Sequence, residues 1–309
     1  MSKESILKKL SVVSEHGSNT IEQKTKRHKV PVAATDGLEK VKNLLDIIKE
    51  SGADSSMYTS DKKAISFIFS NLPEPYSFSS ILVKLTIIDS LYSTQMGRRY
   101  YGLDELASVL SEIHNGQSLN KLFRELASAE VSSADEKFCA KGTNLFTEKY
   151  GIGKDGNDKG TAVSLISKYA YFETNGHFPI YDSIAKEMYP KVWLYCGFPK
   201  SGLICKSEMS SNMDSYILAI NRLKESLNDS ALTYDHIDRL LWTTGKILRG
   251  NMSLILSMDE YLFLKSSNML DGGRFDIEKV DIDKLTFLKS NIFLLECFKL
   301  AKILKNYEC

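Results

Sequence analysis

Apolar residues recur along most of this chain at the three-to-four-residue spacing of amphipathic helices. Leu38, Val41, Leu44, Leu45 and Ile48 mark one such helix over residues 38–50. The stretch from Ser79 to Tyr92 is apolar nearly all round. Ile81, Leu82, Leu85, Ile88 and Leu91 form its stripe, and Val83 and Ile87 widen it. That pattern predicts a buried central helix. Ordinary amphipathic helices are predicted at about 103–114, 119–128 and 136–150. The first carries Leu103, Leu106, Leu110 and Ile113; the second carries Leu119, Leu122, Phe123 and Leu126. Another, over about 161–172, places Ala162, Leu165, Ile166 and Tyr169 on one face. A short helix should begin after Asp182, and longer ones fit 211–228, 233–248 and 286–306.

Loops separate these elements. Gly52 to Ser60 reads as one, and Ser66 to Pro75, with its prolines, as a connection. A glycine-rich loop runs from Gly151 to Gly160, a further loop from Glu173 to Tyr181 contains Pro179, and Gly272-Gly273 marks a turn. Alternating strand patterns are almost absent and no internal repeat is visible. The expected fold class is therefore all-α. Residues 1–36 differ in composition, being rich in Ser, Lys, Glu and Thr, with a basic run at Lys24, Lys26, Arg27, His28 and Lys29. They read as a solvated N-terminal arm, or as an arm that contacts phosphates and orders on DNA. Residues 37–309 form the helical region, with a C-terminal helical part over 205–309.

Composition narrows the classes. The 309 residues suffice for a sizeable core, and 43% hydrophobic with 26% charged residues is ordinary for a globular protein. The cysteines Cys139, Cys196, Cys205, Cys297 and Cys309 are odd in number and form no CxxC pair. They argue against a disulfide framework and against a zinc or iron–sulfur site, so no metal and no cofactor is expected. No apolar run reaches the roughly 20 residues of a membrane span and the N-terminus lacks an apolar leader, so a cytoplasmic chain without a membrane partner is the expectation; a monomer is also expected. A net charge of +1 allows nucleic-acid binding only if positive charge gathers on one face.

Two segments carry a family resemblance. The first is Ile87-Ile88-Asp89-Ser90-Leu91-Tyr92-Ser93-Thr94-Gln95, an apolar helix ending in Ser-x-Gln. The second is Phe178-Pro179-Ile180-Tyr181-Asp182-Ser183-Ile184-Ala185, preceded by a glycine-rich stretch and a helix. In this order they resemble the helix-hairpin-helix DNA glycosylases, with the hairpin and catalytic segment at about 145–190. The runs Ser167-Lys168-Tyr169 and Ile237-Asp238-Arg239-Leu240-Leu241-Trp242 resemble a divergent bacterial branch found near defence genes. The pattern departs at the hairpin. Gly151-Ile152-Gly153 is followed by Lys154 to Gly160 rather than directly by a helix, so either the hairpin is longer by several residues or it is Gly156 to Gly160.

The resemblance implies a two-lobed helical architecture and a partner: double-stranded DNA carrying a modified base, with phage defence as the setting. It makes Asp182 the catalytic carboxylate and Gln95 the plug that fills the gap left by a flipped base. Tyr92 and Tyr181 become candidates for the base pocket. Arg98, Arg99, Gly151, Gly153, Lys154 and Lys168 become candidate phosphate contacts. A carboxylate near the anomeric carbon stabilises positive charge developing on the sugar and can activate water. Taken alone, Asp182 reads as a plain helix cap, and the two roles are compatible because the family's aspartate also caps a helix. Lys154, Lys159 and Lys168 miss the spacing that the family's lysine nucleophile keeps before the aspartate, so a hydrolysis that leaves an abasic site is expected. His177, five residues before Asp182, reads as an exposed loop residue or as an acid–base partner. A non-catalytic helical protein that binds DNA or a partner is the alternative.

Overall fold

A computed structural model describes residues 36–50, 57–92, 94–114, 118–128, 145–153, 156, 160–271 and 273–307. The regular structure among them is overwhelmingly helical: α1 (Gly37–Glu50), α2 (Met57–Asn71), α3 (Phe78–Tyr92), α4 (Gly102–His114), α5 (Leu119–Ser128), α6 (Val163–Glu173), α7 (Ser183–Tyr195), α8 (Lys206–Ser211), α9 (Met213–Leu227), α10 (Tyr234–Leu248), α11 (Met258–Ser266) and α12 (Ile292–Leu304). Two antiparallel pairs of short strands interrupt them, β1 (Lys149–Tyr150) with β2 (Gly160–Thr161), and β3 (Leu270–Asp271) with β4 (Arg274–Phe275). Among the described residues no helix is long and apolar enough to cross a membrane. The basic run and the remainder of the arm before Asp36 lie outside the described residues.

The closest helix packing falls within two groups. Helices α2 to α6 pack on one another, and α1 packs with α10 and α12, which join α7, α8 and α9 in a second group. Within the one compact unit from Ala33 onward these helices thus form two packing groups, called lobes below, and the segment from Thr174 to Asp182 passes from the first to the second.

The helices at 38–50, 119–128 and 233–248 bury the stripes their periodicity marks out; Val41, Leu44, Leu45 and Ile48 are all core residues. Three expectations change. The helix buried on nearly every side is α6, in which Leu165 through Phe172 are all inside. Helix α3 buries only the face of Ile81, Leu85 and Ile88, and leaves Val83 and Leu91 exposed. Charge made the difference: Lys84, 1% exposed, points from α3 to Glu173 at 3.1 Å, so a polar residue holds the buried face while leucine and valine meet water. Second, part of the expected Ser66–Pro75 connection is helical, because Pro73 and Pro75 follow the end of α2 at Asn71 and terminate it. Third, the helix expected over 136–150 ends as strand β1; residues 129–144 lie outside the described set.

In the second lobe α10 is central. Gly245 sits where α10 crosses α7, and a Cβ there would overlap the Ile184 Cγ2 methyl and come within 2.8 Å of Met188 Cγ. Ile184 is β-branched and buried, so it cannot swing aside. Gly245→Ala is expected to destabilise the fold by about 1–3 kcal/mol through overpacking. Urea unfolding checks this, and an unchanged midpoint would mean that α7 and α10 separate without cost.

Candidate active site

The chain reaches Asp182 under tight control. Thr174 Oγ1 donates to the Ala170 carbonyl at 2.7 Å, and Gly176 turns with φ +79°. Phe178 then enters the core. The Tyr216 hydroxyl donates to the Ile180 carbonyl, and the Tyr181 N–H donates to Ser167 Oγ at 2.9 Å. Both lobes thus hold the residues just before Asp182. Asp182 itself is extended (φ −130°, ψ 145°) and caps α7, its Oδ1 accepting from the Ile184 N–H at 2.6 Å. The carboxylate is half-buried, and Oδ2 has no hydrogen-bond partner among the described residues.

Lys168 lies beside it, inside the protein at 3% exposure. Its Nζ donates to Ser164 Oγ at 2.7 Å and stands 5.5 Å from the centre of the Tyr92 ring. Burial pushes its pKa below the ordinary 10.5, while the carboxylates of Asp182 and Asp238 pull it back upward. The expectation that Lys168 meets a DNA phosphate at the surface does not fit a lysine enclosed in this way. The same side chain lies near the Tyr92 ring at the end of α3, and the charge of Asp182 at the start of α7 acts on it.

Behind Lys168, polar groups bridge the lobes. Lys62 on α2 is 2.6 Å from Asp235 and 3.5 Å from Asp238, both on α10. The Tyr171 hydroxyl on α6 donates to the same Asp235 oxygen at 2.5 Å, and Lys62 Nζ lies 4.6 Å from the Tyr171 ring centre. Burial alone would raise the Asp235 pKa, but Lys62 and the Tyr171 hydroxyl carry it below the carboxylate norm. Asp238 is 6% exposed, and its charge reaches Lys168, Tyr92 and Tyr216. On the outer side Lys246 covers the Trp242 ring at 5.2 Å, and burial lowers its pKa against the pull of Asp182. Arg249 holds Glu187 at 2.5 Å. Sequence reasoning noticed Asp238 and Trp242 only as part of a run and Tyr171 only as one of several aromatics near the motifs, and missed Lys62, Asp235, Tyr216 and Lys246.

The two tyrosine candidates are enclosed differently. Tyr181 meets Tyr216 edge-on at 5.1 Å and carries Lys186 Nζ 3.9 Å from its ring centre, so its ring is already engaged. The Tyr92 hydroxyl is buried without a hydrogen-bond partner. Burial and the charges of Asp238, Asp61 and Asp235 raise its pKa. His177 is exposed and keeps its ring in its own loop, Nδ1 lying 3.0 Å from the Thr174 carbonyl oxygen.

Gln95 follows α3 directly. It is exposed and in the left-handed region at φ 65°, a conformation that costs a residue other than glycine on the order of 1–2 kcal/mol. Asp89 holds the loop in place: its carboxylate accepts from the Thr94 hydroxyl and from the Met96 and Gly97 N–H groups, both at 2.8 Å. Tyr100 then pairs with Ile152, each N–H donating to the other's carbonyl at 2.9 Å, so this loop is joined to the glycine hairpin. The hairpin is the longer of the alternatives, closed by pairing of Tyr150 with Gly160 and Lys149 with Thr161.

The hairpin's own groups are largely engaged. The Gly151 N–H donates to Glu105 Oε2 at 2.9 Å, and Gly151, at φ +67°, packs its backbone on Gly102. The Gly153 carbonyl accepts from the Gly156 N–H at 2.9 Å. The phosphate role expected of Gly151 therefore lacks a free donor. The Arg99 guanidinium lies against Gly160, whereas Arg98 is exposed. Lys154 and Lys159 lie outside the described residues.

No family model, curated protein or solved structure matches this chain.

The buried amine has a thermodynamic consequence. Its folded pKa is depressed, so the unfolded chain holds the proton more tightly. The resulting destabilisation is present at neutral pH and fades as pH rises toward 10.5. Lys168→Met should therefore be most stabilising, relative to wild type, near neutral pH. The gain should shrink as pH approaches the ordinary lysine value. Melting temperatures of the pair from pH 7 to pH 10, as roughly bracketing conditions, test this; a constant difference would show that burial does not shift the amine.

Proposed function

We propose that the chain is a helix-hairpin-helix-type DNA glycosylase that removes a modified base from double-stranded DNA by hydrolysis. The observation that carries this reading is the placement of Asp182. A half-buried carboxylate with one oxygen free of hydrogen bonds sits at a helix N-terminus, beside a buried lysine, where two helical lobes meet. The Gln95 loop joins the same locality through Tyr92 and Lys168. The helical character of the chain, with two groups of packed helices, supports the reading without going further than fold class.

In this reading the target nucleotide rotates out of the stack and Gln95 fills the space it leaves. The bond between the base nitrogen and the anomeric carbon breaks with its electron pair going to the base. Positive charge grows on the sugar, and the Asp182 carboxylate stabilises it. Water adds to the anomeric carbon and gives up a proton, leaving an abasic site in an intact strand. Lys168 contributes charge close to the carboxylate and remains enclosed. The bacterial branch that the sequence resembles makes phage DNA with hypermodified bases the proposed source of substrate.

One observation favours a second reading, a helical DNA- or partner-binding protein without catalysis: Asp182 Oδ1 caps its own helix as any N-terminal aspartate can. Asp182→Asn separates the two. Asparagine caps a helix well, so stability should shift by less than about 1 kcal/mol. Base release from duplexes carrying a panel of modified bases, revealed by alkaline cleavage at abasic sites, should be abolished. Turnover near wild type would remove Asp182 from the mechanism.

Hydrolysis also predicts that sodium borohydride traps no protein–DNA adduct, because no amine is joined to the sugar. A trapped adduct that disappears in Lys168→Ala would make the enzyme a lyase and Lys168 its nucleophile.

A further inference from the structure

Breaking the bond to the sugar leaves an electron pair on the base, and an uncharged base departs as a neutral molecule only if it also gains a proton. Asp182 does not supply it, because the reading above needs that group as a carboxylate. Most other polar groups nearby are committed. Lys168 is shut inside with its amine on Ser164 Oγ. Lys186 is buried, its Nζ 3.9 Å from the centre of the Tyr181 ring. Arg249 is paired with Glu187, which Lys206 also approaches at 3.8 Å. The His177 ring stays in its own loop, and burial makes the Tyr92 hydroxyl hold its proton more tightly.

Lys246 is different. It is partly exposed and has neither an ion pair nor a hydrogen bond among the described residues; its Nζ lies over the Trp242 ring, 5.2 Å from the centre. Its place follows from the crossing of α7 and α10. Asp235, Asp238, Trp242, Gly245, Lys246 and Arg249 recur at helical spacing and share one face of α10. Gly245 meets Ile184, and the Arg249 guanidinium lies 3.4 Å from the Ser183 hydroxyl and carbonyl oxygens. Ser183 and Ile184 directly follow Asp182. Lys246, between Gly245 and Arg249, is therefore carried to the same end of α7. The charged groups acting on its amine are Asp182 at that end and Arg249 on α10 itself, while Glu187 of α7 is held by Arg249 and by Lys206 of α8. Partial burial lowers the amine's pKa below the ordinary 10.5, so it releases a proton more readily than a fully solvated lysine.

We infer that Lys246 is the proton donor to the departing base, acting from α10 while Asp182 acts from α7. This rests on the glycosylase reading. As the bond from the base nitrogen to the anomeric carbon breaks, its electron pair goes to the base. The Lys246 ammonium passes a proton to the base and becomes a neutral amine. The water that adds to the anomeric carbon returns a proton to that amine. The sum is hydrolysis, and Lys246 ends as it began. The amine forms no bond to the sugar, in keeping with the absence of a borohydride adduct expected above.

The test uses the full chain and a duplex whose uncharged modified base the wild type releases from the panel above. Single-turnover release is measured for wild type, Lys246→Met and Lys246→Arg from about pH 7 to about pH 10. Methionine keeps an apolar stem over Trp242 and removes the proton. Arginine keeps the charge but holds its proton to above about pH 12. Wild-type release should fall toward alkaline pH as the amine is deprotonated. Lys246→Met should be slower by about a hundredfold or more at neutral pH and should lack that alkaline fall. Lys246→Arg should also be slow, since charge without a transferable proton does not suffice. Melting temperatures separate a lost fold from a lost proton, and Lys246→Arg decides the matter if the methionine variant unfolds. Release near the wild-type rate by either variant overturns the proton donor and leaves Asp182 catalysis standing. Absence of base release by the wild type from every duplex overturns the donor together with the glycosylase reading.

Discussion

The structure depends on a partly buried charge network that links its two groups of helices, with Lys62 and Asp238 enclosed and the Asp235 side chain 39% exposed. Lys62 brings α2 to Asp235 and Asp238 on α10, and Tyr171 brings α6 to the same Asp235. Removing such groups from water costs several kcal/mol for each ion unless partners and hydrogen bonds replace the water. The lobes must therefore meet in the one register that brings the lysine, the carboxylates and the tyrosine together. The apolar core runs continuously through both groups of helices, and the charged groups add a further constraint on their register, because a misplaced charge loses its compensation.

The candidate site is a consequence of this joint. Asp182 lies where the chain passes between lobes, and α10 carries Asp238 on one side and Lys246 on the other, both close enough for charge to act at the site. Lys168 is enclosed between these carboxylates and the Tyr92 ring. Low exposure strengthens each of these interactions, since little water is present to screen them. Rigidity comes from Gly245, whose missing side chain lets α7 and α10 approach closely and so fixes the helix that begins at Asp182.

The second specialised region is the braced loop from Thr94 to Tyr101. Its energy is unfavourable locally and is offset by Asp89, by the buried Met96 and by pairing with the glycine hairpin. Left-handed residues other than glycine persist only where the surroundings over-determine them, and such places are frequently sites of contact with a ligand. The glycine-rich hairpin between β1 and β2 is constrained in a related way. Its strands close a longer loop, and its first glycine is occupied in supporting Gly102 and accepting the constraint of Glu105.

Local pattern determined the helical class, the faces of α1, α5 and α10 that turn inward, and the capping role of Asp182. Each follows from residues within a few positions of one another, where periodicity and side-chain-to-backbone hydrogen bonds act. Even there, Lys84 and Lys168 were read as surface groups or passed over, because a lysine's partner is invisible along the chain. The tertiary structure alone decided that α6 rather than α3 is the enclosed helix, and that Lys168 lies inside. It also decided that Lys62 meets Asp235 across 173 positions of sequence, and that Tyr100 joins the glycine hairpin. The physical reason is common to all four. The free energy of a buried charge, or of a strained backbone, is set by groups brought close in space, and sequence spacing records only the groups that are close along the chain.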